Sequence, residues 1–175
     1  MTPALVVPAV LLALNLGGPP PPRFSAGLTA GVAEVKGGAV ARSMFGTYGL
    51  AASYRPLRLA ALRLSYARMT ETHDYTAFRF DTTYHRLTLA PEARLPMSNR
   101  LDLAVAVGPA LTILHSSLDT SGGGGSRSGA RWALWTGGAM LVRVWRLELR
   151  TDVGLTLLDR GPDLAAGLAV AYSIP

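Results

Sequence analysis

The sequence has no cysteine and, among its 17 basic residues, a single lysine, Lys36. A disulfide framework, a thiolate metal site and a cysteine nucleophile are therefore excluded. Charged residues make up 16% of the 175-residue chain, short of the usual quarter in a soluble domain, so side chains suited to a wet surface are scarce. There is also no long apolar run: Ala4 to Leu14 is uncharged but shorter than the ~20 residues a membrane-spanning helix needs. The net charge is +6, yet the arginines stand singly, without a basic run or a recognition-helix pattern, so the positive charge does not point to nucleic acid.

What is abundant is apolar residue, 49% of the chain, and it is distributed with a period of two. In "LDLAVAVGPALTIL", Leu101 to Leu114, Leu101, Leu103, Val105, Val107, Leu111 and Ile113 share one face, and Asp102, Ala104, Ala106, Gly108, Ala110 and Thr112 share the other. Alternation of this kind marks a strand between two different environments. It recurs seven more times, around Phe24–Val32, Met44–Tyr54, Leu62–Tyr66, His85–Arg94, Arg131–Val144, Leu147–Leu157 and Leu164–Ile174. No helical period competes, so an all-β body is expected over residues 23–175. Residues 1–22 read as an export signal followed by a proline-rich spacer, Pro19 to Pro22.

The connections alternate too. "RPLR", "LPMSNR" and "VWRL" are short, whereas "EVKGGAVARS", "TETHDYTAFRFD", "HSSLDTSGGGGSRSG" and "LDRGPD" are longer or more polar and read as loops, with "SGGGGS" a flexible tip. Short and long then fall at opposite ends of an up-and-down closed antiparallel barrel. The second face of each segment is Gly, Ala, Ser and Thr with occasional Arg, Glu and Asp. Such a face suits the crowded interior of an eight-stranded barrel, which puts the leucine and valine face against lipid. A soluble lipocalin-like ligand-binding barrel is the alternative, with the same pattern turned inside out.

An exported eight-segment barrel with short turns at one end and long loops at the other resembles the outer-membrane β-barrels of the OmpA and OmpX type, over Arg23 to Pro175. The resemblance implies a bacterial outer-membrane location, short turns in the periplasm, a monomer without cofactor, and a structural or surface-interaction role. Partners would be outer-membrane lipid, lipopolysaccharide and a surface ligand. One departure stands out: barrels of this type end in an aromatic residue, whereas this chain ends "AYSIP", with Tyr172 three places before the end.

Several charges share the small-residue face: Arg63, Glu92, Arg94, Asp102, Arg143, Glu148, Arg150 and Asp152. If Leu95 opposes Leu101, Arg94 opposes Asp102; if Val144 opposes Leu147, Arg143 opposes Glu148. An interior ion-pair network near the short turns is expected, closing the lumen to continuous water. Aromatic residues near segment ends suggest two interfacial girdles, Phe24, Tyr54, Trp145 and Tyr172 at the periplasmic end and Tyr66, Tyr84 and Trp132 at the outer end. Arg42, Arg79, Arg127, Arg131 and Arg160 recur at the outer end, where guanidinium groups can hold lipopolysaccharide phosphates by two hydrogen bonds.

The catalytic-looking fragment is "LHSSL", in which His115 and Ser117 have the H-x-S spacing of outer-membrane lipid A deacylases. A hydrolase of that kind needs a third, acidic group to orient the imidazole. The segment a dozen residues after Ser117, "SRSGA", supplies none, so the lipid A-modifying hydrolase remains the alternative reading and no enzyme is expected. His73, Asp74 and His85 have no metal-ligand spacing, and no metal site is expected.

Overall fold

The computed structural model describes residues 24–35, 43–76, 78–158 and 161–174. The expected export signal, Arg42 and Arg160 lie outside them. The rest is eight strands in chain order: β1 (Phe24–Val35), β2 (Ser43–Leu57), β3 (Ala60–Tyr75), β4 (Phe78–Pro96), β5 (Leu101–Thr120), β6 (Gly123–Val144), β7 (Leu147–Leu158) and β8 (Gly161–Ile174). Each pairs antiparallel with the next, and β1 pairs with β8 from Phe24 opposite Ile174 to Glu34 opposite Leu164, closing the ring.

On β5, Asp102, Ala104, Ala106 and Ala110 are buried while Leu103, Val105 and Val107 are exposed. The same inversion holds around the ring: Leu28, Leu50, Leu64, Leu89, Leu149 and Leu168 point outward. The interior is filled by Gly, Ala, Ser and Thr, because eight strands enclose a bore only just wide enough for side chains. Where the interior admits a large ring, glycine makes the room. Trp135 of β6 points inward over Gly137 and Gly154, which face each other across β6 and β7. A Cβ on either glycine would lie 2.7 Å from the indole.

Two polar segments read as loops are strands instead. β3 and β4 run on to Tyr75 and from Phe78, and β5 and β6 meet at a tight turn, Thr120 opposite Gly123. The glycines of "SGGGGS" from Gly123 on are therefore paired with β5, not a free tip. Cross-strand bonds such as Thr72 Oγ1 to Asp81 Oδ1, 2.6 Å, and the contact of Thr120 Oγ1 with the Gly123 carbonyl hold these polar stretches extended. Among the described residues, β2 joins β3 only up to Met69 and β7 joins β6 only from Leu134 on. The outer parts of β3 to β6 thus form a four-stranded sheet that rises beyond the ring on one side.

Tyr84, expected in the outer girdle, faces the interior and packs with Met69 and Ala33. It shares parity with Arg86 and Thr88, and a one-residue change of parity moves a side chain through the sheet. Gly154→Leu should lower the urea midpoint of the detergent-solubilised barrel, costing about 1–3 kcal/mol through overpacking against Trp135. An unchanged midpoint in a heat-shift gel or tryptophan-fluorescence titration would show that the indole has room to move.

Candidate lumen site

The charges of the lumen form one chain of alternating sign. Arg55 Nη2 donates to Asp102 Oδ2 at 2.9 Å, and Arg143 reaches the same oxygen. Arg143 Nε stands 4.0 Å from Glu148 Oε2, and Arg94 Nη1 donates to that oxygen at 3.1 Å. Arg94 also holds Glu92 at 3.1 Å, Glu92 meets Arg150 at 2.7 Å, Arg150 donates to Asp152 Oδ1 at 2.5 Å, and Asp152 meets Arg63 at 3.3 Å. Each acid lies between two arginines. The side chains of Glu92, Arg94 and Asp102 are 0%, 1% and 1% exposed, which only paired charges tolerate.

The strand registers explain who meets whom. Arg143 stands opposite Glu148 across the β6–β7 turn. Arg94, expected opposite Asp102, instead stands opposite Ala104, and Asp102 faces Pro96. The β4–β5 turn accounts for the difference: the amides of Met97 and Ser98 both donate to the Leu101 carbonyl, at 2.9 and 3.1 Å, and Leu101 is drawn into the turn. The register moves by two, which keeps every side chain on its face but changes its neighbour. Arg94 is then free to reach across the lumen to Glu148, and Asp102 passes to Arg143 and Arg55.

Arg55 is the residue that sequence reasoning missed, because "RPLR" reads as a turn. Its parity, that of Ala51 and Ser53, was the available signal. In the structure β2 continues to Leu57 through an irregularity in its pairing with β3, and Arg55 remains inside, 4% exposed. Opposite the charge chain lies a wall of small residues from β8, β1 and β2. Ser25 and Ser53 share a buried hydrogen bond of 2.7 Å there. A small cavity remains between chain and wall, lined by Ser25, Ser53, Arg63, Glu148 and Arg150 among others.

The outer-end candidates are dispersed. Arg79 faces outward and is paired with Asp81 at 3.0 Å; the Thr72 hydroxyl and this arginine hold the Asp81 carboxyl below the usual carboxylate range. Arg127 and Arg131 are exposed on the opposite face of the protruding sheet, level with Ser116 and Thr112 of β5. His115 and Ser117 share the outward face of β5, but the His115 Nδ1 is bonded to Ser128 Oγ at 2.7 Å. Ser117 stands between Asp81 of β4 and Ser126 of β6. Among the described residues, no three His, Asp or Glu side chains gather as a metal site would require.

A closed ring with leucines outside and a chain of paired charges inside has the architecture of a transmembrane β-barrel. More particularly, its fold is that of the small eight-stranded outer-membrane barrels. No protein-family model matches the sequence, and no curated protein matches it. Among solved structures, Ail, the attachment invasion locus protein of Yersinia pestis, is 16% identical with a TM-score of 0.61, covering 86% of this chain and 95% of Ail. Neisserial surface protein A is 11% identical with a TM-score of 0.63, covering 86% and 97%. The N-terminal β-barrel domain of Pseudomonas aeruginosa OprF is 16% identical with a TM-score of 0.57, covering 85% and 96%.

Asp102→Asn should strand Arg55 and Arg143 in the lumen and cost about 3–5 kcal/mol in urea unfolding. The triple replacement Arg55→Met, Asp102→Leu, Arg143→Met should cost less than that single change. A milder effect of the single change would mean that water already screens these charges.

Proposed function

We propose that this protein is a monomeric outer-membrane β-barrel whose lumen is plugged by its own ion pairs and whose role is structural and interactional at the cell surface. The observation that carries the reading is the inversion of polarity: leucine and valine outside, Glu92, Arg94 and Asp102 sealed inside. Outside leucines need hydrocarbon, and hydrocarbon admits strands only as a closed ring that satisfies every backbone group. Closure leaves no open edge within the apolar belt to recruit a second copy, which supports the monomer. The charge chain crosses from β2 to β7 in a narrow bore, which supports a plug rather than an ion path.

The outer face then presents the protruding sheet of β3 to β6. Arg127 and Arg131, on its lumen-side face, offer guanidinium groups to an anionic surface ligand, while Arg79 on the other face points toward lipopolysaccharide phosphates. The Ail structure in complex with the heparin analogue sucrose octasulfate gives an example of an anionic ligand on this fold. The pairing of His115 with Ser128 favours this binding role over hydrolysis by His115 and Ser117.

Outer membranes of an expressing bacterium should contain the protein as a band whose gel mobility shifts on boiling. Trypsin added to intact cells should cut at Arg127 and Arg131 and leave the ring protected. Recovery of the chain in the soluble fraction without detergent would refute the membrane reading, and steady single-channel currents in planar bilayers would refute the plug.

A further inference from the structure

The three short turns share one composition. Leu57 precedes Arg58, Met97 lies shortly before Arg100, and Trp145 precedes Arg146, with no Asp or Glu in any of the three. The apolar member is exposed in each case, and at Trp145 the exposure reaches 85%. The acids at this end, Glu92, Asp102 and Glu148, are turned into the lumen and held by arginines there, so they lend the turns no counter-charge.

Trp145 adds a second kind of observation. Its φ is 56°, in the left-handed region where glycine or asparagine ordinarily stands and where a bulky residue is strained. The Arg146 guanidinium lies 5.5 Å from the indole centroid and donates to the outward-facing Tyr172 hydroxyl at 3.0 Å. Indole, guanidinium and phenol therefore form one surface unit at the lower border of the apolar belt. A strained, exposed tryptophan is offset by the headgroup region of a membrane, where an amphipathic ring is most at home. A guanidinium beside it has the shape to take two phosphate oxygens at once.

We propose that these turns anchor the barrel to acidic phospholipids of the periplasmic leaflet, with Arg100 and Arg146 holding the headgroup phosphate and Met97 and Trp145 seated at the boundary with the acyl chains. An acidic headgroup is favoured over a zwitterionic one because the turns offer no carboxylate to a headgroup ammonium. The proposal rests on the membrane orientation given above, with short turns in the periplasm.

The test uses the full chain in nanodiscs of equal phosphatidylglycerol and phosphatidylcholine, with the lipids retained after release counted by native mass spectrometry. The wild type should retain phosphatidylglycerol preferentially, and R100Q/R146Q should lose that preference by roughly fivefold per arginine removed. Equal retention of the two lipids by the wild type or an undiminished preference in R100Q/R146Q would each overturn the proposal. A heat-shifted band confirms that each variant is a closed barrel, so that these failures leave the barrel reading standing. A wild-type chain that stays soluble without lipid would overturn both.

Discussion

The pairing of β1 with β8 is the contact on which the remaining features depend. In hydrocarbon an unpaired backbone amide or carbonyl has no water to turn to, so strands can cross only in a ring. Eight strands closed in this way leave a bore filled by side chains, and the bore dictates what may face inward. Small residues occupy it along β1, β2 and β8, Ala51, Ala169 and Ala171 among them, and at Gly27 and Gly31 even a Cβ would lie 2.0 and 2.3 Å from a β8 carbonyl oxygen. The large apolar side chains are displaced to the outside, where a lipid environment makes them an asset.

Within that narrow bore, ionised groups are admitted only on condition that each finds a partner. The alternating chain from Arg55 to Arg63 satisfies the condition by giving every acid two arginines, five cations to four anions in all. Such a chain links β2, β3, β4, β5, β6 and β7 across the lumen and resists any slip in register, since a shift of one residue would turn its members toward lipid. The interior is thus organised as a charged side and a small-residue side, with the Trp135 indole over Gly137 and Gly154 above them.

The same strands behave differently beyond the belt. There the parity that separates leucine from charge fades, and polar residues such as Thr72, Asp81, His115 and Ser128 pair with one another across the protruding sheet. This part is held by backbone ladders and local hydrogen bonds rather than by closure. The ring below it is constrained instead by its apolar surroundings on one side and by volume on the other.

The alternation of the eight segments, the small-residue face and the parity of Arg63, Glu92, Arg94, Asp102, Arg143, Glu148, Arg150 and Asp152 were all legible from the chain, because side-chain direction in a strand follows position modulo two. Tyr84 was legible by the same rule, since its parity is that of Arg86. The extended β3 to β6 sheet was not, because its composition is that of a loop and its strands exist through pairing with one another. The partners within the charge chain were not legible either. Arg94 meets Glu148 rather than Asp102 because a turn of the β4–β5 hairpin moves the register by two, and because ring closure brings β4 and β7 face to face across the lumen. Sequence by itself therefore determined which side of the wall each residue occupies, a local property of an extended chain. Only the tertiary structure decided which charges touch, because those distances are set by turn geometry and by the curvature of a closed sheet.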